Sequence, residues 1–419
     1  MRILRPLRDR DFALLWAGLT ISLLGDGIYL VAIAWQVYDL SNTPSALALV
    51  GLAWSIGLAA FLLGGGVVSD RFDRRRVMVF ADLVRAVALL AIGVLSVSGR
   101  LELWHLIALV IVYAGGEAFF GPALGALVPD ILRERQLVEA NALEQFMRQT
   151  FRRLVGPALG GGVVAWVGPG DAFLIDAATF VASAIAIGLI RTRSRGAPAS
   201  TGSLRREMAE GIAFVRSQRW IWVTVLVSSV ALLLFYGPME VLLPYLIRNE
   251  LGGGAGVFGL VLAADGIGAI VASLWLSQRG MPRRYLTVTY IAWGLATLPV
   301  AGYALATASW QLMALSAIHG ALIALGLVIW GTLLQVRVPP EMRGRARSVD
   351  WFASIAFAPL SFALTAPVAG LLGARTTLVL AGVVPALTTL VLFLAFRLQR
   401  DETPLPAPRG HLAEEPAAA

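Results

Sequence analysis

Asp26, Glu117, Glu240, Asp265 and His319 are ionisable residues set in stretches that are otherwise apolar. In hydrocarbon each is costly unless it faces protein or water, so such residues mark ion or substrate pathways. A carboxylate withdrawn from water holds a proton more readily, so Asp26 and Glu117 suit proton carriage or attraction of a cationic substrate. Structural readings stand beside these. Asp26 lies between Gly25 and Gly27 and fits a permanent pair with Arg148 or Arg152. Glu117 follows Gly115 and Gly116 and has no obvious local basic partner. Glu240, after Gly-Pro-Met, also fits the cap of a helix kink, and His319 beside Gly320 fits a hydrogen-bonded packing histidine. Asp176 and Asp265 read as packing or gate contacts.

The supply of residues excludes other chemistries. There is no cysteine, so neither a disulfide frame nor a thiolate site is available. The three histidines, His105, His319 and His411, have no metal-ligand spacing, and neither an HExxH sequence nor a nucleotide-binding loop occurs. No enzyme, metal or cofactor is expected.

What must position these groups is a membrane. Of 419 residues 58% are hydrophobic and only 14% charged, with mean hydropathy +0.76. A soluble protein carries about 25% charged residues, and roughly half that share cannot cover a globule of this length. The 43 glycines and 20 prolines suit packed membrane helices, which use them for close approach and kinks. No cleavable leader is expected, because the first apolar run is too long for one and lacks a small-residue cleavage site.

Twelve runs reach the roughly 20 apolar residues a crossing needs. They cover 12–37, 45–68, 77–97, 103–128, 150–167 and 172–190, then 220–247, 257–276, 285–306, 310–336, 348–372 and 376–396. The 34 basic residues are all arginine. Arg100, Arg248 and Arg375 fall in loops on one side, Arg85, Arg148, Arg152 and Arg153 within or beside spans, and the rest on the other side. That asymmetry puts both termini in the cytoplasm and attributes the formal charge of +8 to topology, not to nucleic acid. Residues 1–190 form one six-span bundle and 220–396 another. Between them, 191–219 is a cytoplasmic linker whose 204–218 stretch reads as an amphipathic helix on the inner membrane surface. The tail 397–419 reads as disordered.

The halves repeat. Val128-Pro129-x-x-x-Arg133-x-Arg135 and Gly156-Pro157-Ala-Leu-Gly160 recur, 210 residues later, as Val338-Pro339-x-x-x-Arg343-x-Arg345 and Ala366-Pro367-Val-Ala-Gly370. Between the second and third spans lies GVVSDRFDRRR, residues 66–76. Its Asp70, at the depth where a helix leaves lipid, needs a helix end or an arginine for a partner.

The pattern Gly66-x-x-Ser69-Asp70-Arg71-x-x-Arg74-Arg75 resembles the loop between helices 2 and 3 of the major facilitator superfamily of transporters. LLGDGIYLVAIAWQVYDLS, MRQTFRRLVGPALGG and VPPEMRGRARS resemble its branch of macrolide efflux proteins and the enterobactin exporter. The resemblance covers residue 1 to about 400. It implies an all-α membrane protein of twelve transmembrane helices in two pseudo-symmetric six-helix bundles, working by alternating access in a bacterial inner membrane. It further implies a monomer, a small-molecule substrate and protons as the coupling ion. In that superfamily helices 1, 4, 7 and 10 line the cavity, which is why Asp26, Glu117, Glu240 and His319 come first. Gly66, Asp70, Arg71, Arg74, Arg75, Arg343, Gly344 and Arg345 then stand for the gate, with Asp70 its latch. Gly156, Pro157, Gly160 and Gly161 resemble the antiporter motif of helix 5, in register with Arg148. Aromatics such as Trp16, Trp35, Trp54, Tyr29, Phe119, Phe120, Tyr236 and Trp330 are candidates for an apolar cavity wall. The implied activity is efflux of an amphiphilic small molecule of drug or macrolide type. A siderophore or metabolite exporter is the alternative cargo reading, and a non-transporting receptor or scaffold the alternative class.

Overall fold

Several helices begin where the chain supplies a cap or a proline. Asp9 accepts hydrogen bonds from the amides of Asp11 and Phe12 (2.9 and 3.1 Å), and α1 runs from there as Arg10–Leu40. Proline opens α2, Pro44–Arg71. Asp73 accepts from the Arg76 amide at 3.1 Å and starts α3, Arg74–Val97. These caps satisfy amide groups that no helical turn can reach. In α4, Leu103–Ile131, His105 Nδ1 accepts from the Glu102 amide at 3.1 Å, so that histidine caps a helix. The computed structural model describes residues 2–133, 136–192 and 204–402. The surroundings of Gly66 and of the Asp70 side chain lie outside the described residues, as do Arg135 and residues 403–419 of the expected tail.

Among the described residues, eleven helices are long and apolar enough to cross a membrane. The remaining crossing, α5, is continuous in path but divided into Leu137–Met147, the π-helical Arg148–Val155 and Gly156–Val167. The sequence places its start at Thr150, because Arg148, Arg152 and Arg153 depress the local hydropathy. The helix in fact begins thirteen residues earlier. The rest are α6 Pro169–Gly188, α7 Arg219–Tyr245 with its extension Leu246–Glu250, α8 Ala255–Arg279, α9 Tyr285–Tyr303 and α10 Ser309–Arg337. Then α11 runs as Pro340–Ala356 and Ala358–Leu372, and α12 as Ala374–Ala395.

Packing repeats between the halves. In the first, α1 and α3 pack on α6, α2 and α3 on α4, and α1 on α5. In the second, α7 and α9 pack on α12, α8 and α9 on α10, and α7 on α11. The halves meet along α2–α11 and α5–α8. Glycine sets the α5 seams. A Cβ on Gly27 would lie 2.6 Å from the Gly156 Cα, and one on Gly161 would lie 2.9 Å from the Ala255 carbonyl oxygen. The helix-5 glycines thus serve two interfaces, one with α1 and one across the halves with α8.

At the arginine-poor end the halves are tied together. Tyr38 donates to the Val241 carbonyl at 2.7 Å, Arg248 meets Asp39 at 2.7 Å, and Asn42 bonds Asn249. Trp35 stacks beneath the Arg248 guanidinium. Two expectations for the arginine-rich end change. The linker helix, Leu204–Ser217, packs on α11 with Val215 buried and Glu210 paired to Arg345 at 2.7 Å, while Ile212 is exposed. The tail is docked as far as 402: Leu398 is buried, Arg219 grips Asp401 at 3.0 and 2.9 Å, and Glu402 accepts from the Thr287 amide.

Candidate functional site

Between the halves lies a cavity of about 140 Å³ that brings together Asp26 of α1, Glu117 of α4, Arg152 of α5 and Glu240 of α7. Sites for drug-sized ligands occupy roughly 300–1,000 Å³, so a bulky guest requires the halves to part. Of the aromatic wall candidates, Tyr29, Trp54 and Tyr236 line the cavity, joined by Tyr113, Phe258 and Phe362. The sequence did not single out those last three, because nothing distinguishes a cavity aromatic from a packing one until the helix rotation is known.

The polar geometry centres on Arg152. Its guanidinium stands 3.9 Å from Asp26 Oδ2 and 3.9 Å from Glu117 Oε1. Glu117 has no basic residue near it in sequence, and its cation comes from α5 instead. Each carboxylate is also held by an aromatic donor: the Tyr113 hydroxyl donates to Asp26 Oδ1 at 2.8 Å, and Trp54 Nε1 donates to Glu117 Oε2 at 3.0 Å. Tyr113 in turn stacks on Tyr29 with centroids 4.8 Å apart. One guanidinium serves two carboxylates, so this group carries a charge of −1 when both are ionised.

Arg148 turns away from Asp26 and pairs with Glu144 at 2.9 Å. The choice between Arg148 and Arg152 falls to Arg152, which stands about one turn further along the π-helical stretch, at the depth of the cavity. Glu240 is exposed to the cavity, and among the described residues it makes no hydrogen bond or ion pair. Asp265 and His319 sit together on the other side of α5: His319 Nδ1 lies 2.7 Å from Asp265 Oδ1, and Arg153 lies 3.7 Å from Asp265 Oδ2. Asp176 is fully buried behind α1, accepting from Thr179 at 3.0 Å, in space that Gly25 leaves open.

Gate candidates scatter along the arginine-rich end. Arg74 ties α3 to α4 through Asp130 (2.6 Å) and the Ala126 carbonyl (3.1 Å). Arg75 donates to the Ile190 carbonyl and Arg343 to the Val338 carbonyl, while Arg71 is exposed. Gly344 has nothing within 4 Å of an added Cβ.

A second buried charge pair went unread. Asp82 and Arg85 of α3 bond each other one turn apart, and the guanidinium is sandwiched between Phe120 and Phe180 at 4.6 and 4.2 Å. The spacing Asp82-x-x-Arg85 inside an apolar run was the available signal, since i,i+3 residues share a helix face.

The chain matches, over residues 2–419, the model of a family described as transmembrane secretion effector. Macrolide efflux protein A of Streptococcus pyogenes is 24% identical over 375 residues, covering 88% of this chain and 92% of that protein. Multidrug efflux pump Tap of Mycolicibacterium fortuitum is 29% identical over 382 residues, covering 87% and 90%. Among solved structures, a bacterial homologue of the iron transporter ferroportin in the inward-facing state aligns with TM-score 0.72 at 15% identity, over 93% of this chain and 98% of that one. A bacterial homologue of the human lysosomal transporter Spinster, inward-facing and unoccupied, gives 0.66 at 15% identity, over 95% and 99%.

Proposed function

This chain belongs to the transmembrane secretion effector family of major facilitator transporters, and from that premise we propose that it exports an amphiphilic small molecule in exchange for protons. The observation that carries the reading is Arg152 shared between Asp26 and Glu117 in a cavity between the halves. Two carboxylates and one guanidinium are neutralised by a single proton. A site that accepts one proton and gives it up again is what antiport requires. With the proton bound, Arg152 balances the remaining carboxylate; without it, the cavity offers a negative charge to a cationic cargo.

The aromatic walls from Tyr29, Trp54, Tyr236, Phe258 and Phe362 give an amphiphile apolar surface, and Glu240 faces the same space. Relatives named for macrolide and multidrug efflux support a cargo of that kind. Access alternates: the contacts of Tyr38, Asp39 and Asn42 with α7 close the arginine-poor end in this state and break when the transporter opens outward. The arginine asymmetry supports a topology with both termini and the linker helix in the cytoplasm, and the protein acts as a monomer in the inner membrane of a bacterial cell.

The test is uptake of a fluorescent cationic dye into inverted vesicles under an imposed pH gradient. Asp26→Asn and Glu117→Gln are assayed singly at equal expression, with and without the gradient. Loss of gradient-driven movement in at least one variant, with downhill exchange retained, is the expected result. Full gradient-driven transport in both places the proton carrier elsewhere, and wild-type transport indifferent to the gradient removes proton antiport altogether.

A further inference from the structure

Arg152 and Arg153 are neighbours in the π-helical part of α5, yet they serve opposite halves of the molecule. Arg152 faces Asp26 and Glu117 in the first half, and Arg153 crosses to Asp265 of α8 in the second. Behind Asp265, His319 of α10 holds the other carboxylate oxygen at 2.7 Å. We propose that His319 and Asp265 form a second proton-binding site, in the second half, read by Arg153 as the Asp26–Glu117 site is read by Arg152. The proposal rests on the proton-coupled reading above and adds to it a site with its own conformational consequence.

The geometry specifies where the proton goes. An ionised carboxylate only accepts, so with Asp265 ionised beside Arg153 the histidine must donate from Nδ1. Its Nε2 is then the unprotonated nitrogen. That atom is buried and makes no hydrogen bond among the described residues, on a residue only 6% exposed. A proton arriving there converts the 2.7 Å contact from a neutral donor on a carboxylate into an imidazolium–carboxylate bond. The acceptor is ionised in both cases, so what the proton adds is a direct attraction between opposite charges. The 3.7 Å approach of Arg153, whose side chain is 46% exposed, is the weaker competitor. Arg153 also meets a new positive charge, so protonation releases it from Asp265.

Release matters because Arg153 lies on the seam between the halves. An added Cβ on Gly266, next to Asp265, would sit 2.6 Å from the Arg153 carbonyl oxygen, so the α5 and α8 backbones touch where the ion pair spans them. Among the described residues, the charged and titratable groups around the His319–Asp265 pair are Arg153 and Arg152 of α5, Glu240 and Tyr236 of α7, and Tyr303 of α9. Tyr303 is engaged with Ser316 at 2.7 Å. Two sites addressed by adjacent arginines give each half its own proton response, and α5 is the element that compares them.

The chain has no cysteine, so a spin-label pair introduced by Gln145→Cys and Gln278→Cys reports only the α5–α8 separation at the arginine-rich end. Both positions are exposed. Distances are measured by pulsed electron resonance in lipid nanodiscs, without cargo, between about pH 5 and about pH 8, the interval in which an imidazole titrates. In the otherwise wild-type protein the separated population rises on acidification by on the order of tenfold, within the range of coupling between linked sites. His319→Gln holds the short distance at both pH values, and Arg153→Gln holds the long one. A wild-type distribution indifferent to pH overturns the proposal, as does an unchanged response in His319→Gln. If His319→Gln does not fold, Arg153→Gln decides alone: a short distance at high pH refutes the site. The readout needs no transport, so its failure leaves the dye assay standing, and failure of the dye assay leaves this result interpretable.

Discussion

Replacing Gly266 by alanine tests whether the α5–α8 seam is set by backbone contact. The added methyl carbon would lie 2.6 Å from the Arg153 carbonyl oxygen, 2.8 Å from its carbon and 3.0 Å from the Leu154 nitrogen. All three are backbone atoms, so no side chain can swing aside, and the helices must part by close to an ångström. Gly259 and Gly161 fix the same seam, with an added Cβ on Gly259 only 2.4 Å from the Pro157 carbonyl oxygen. The strain therefore cannot be relieved by sliding along α5. Overpacking of this kind costs about 1–3 kcal/mol, against a gain of roughly 0.5–1 kcal/mol from removing a mid-helix glycine. The matching control is Gly331→Ala in α10, where an added Cβ meets nothing within 4 Å and only the gain applies. Equilibrium unfolding in mixed micelles of denaturing and mild detergent reads both. Gly266→Ala should fall below wild type and Gly331→Ala should equal or exceed it. If Gly266→Ala is as stable as Gly331→Ala, the halves do not meet by backbone contact here and the seam argument fails.

Arg152→Gln leaves Asp26 and Glu117 without their shared cation; at 3.9 Å such a pairing is worth about 4 kcal/mol at an effective dielectric near 20, less with the partial exposure of the guanidinium. Gradient-driven dye transport should be lost while expression holds, and retention of normal pH dependence would remove Arg152 from the coupling group. Asp82→Asn should destabilise the protein by about 3–5 kcal/mol, because it strands the Arg85 guanidinium in a site with 5% and 0% exposed partners. The double replacement Asp82→Leu with Arg85→Met should recover most of that loss in the same unfolding assay; equal damage in single and double variants would refute a simple buried pair.

The membrane architecture was legible because it depends on one-dimensional quantities. Apolar run lengths, arginine placement and the 210-residue repeat are all properties of sequence order. The cavity was legible only in part. Asp26, Glu117 and Glu240 stood out as ionisable groups in apolar runs, and they do line one cavity. Their partners did not stand out. The ambiguity between Arg148 and Arg152 could not be resolved, since the two lie four residues apart in the π turn, on one helix face, and differ only in depth. Trp54 reaching Glu117 and Arg153 reaching Asp265 are contacts between distant spans. No local spacing rule encodes them.

That π turn links the two levels of the molecule. A regular helix places consecutive residues about 100° apart, so adjacent side chains ordinarily cannot serve a single interface. Here adjacency is useful for that reason: α5 lies between the halves, and consecutive arginines point to carboxylates on either side of it. The glycines that follow let the same helix touch α1 through Gly156 and α8 through Gly161. A helix packed by backbone on both sides has little freedom to tilt without one seam opening. On the proton-coupled reading proposed above, protonation of the carboxylates facing Arg152 or Arg153 acts on a choice between two close-packed surfaces, which behave as alternatives because packed interfaces resist gradual deformation. On that reading the helix-5 glycines and the arginines preceding them form a single device, with the arginines answering the charge of the carboxylates and the glycines determining which seam yields.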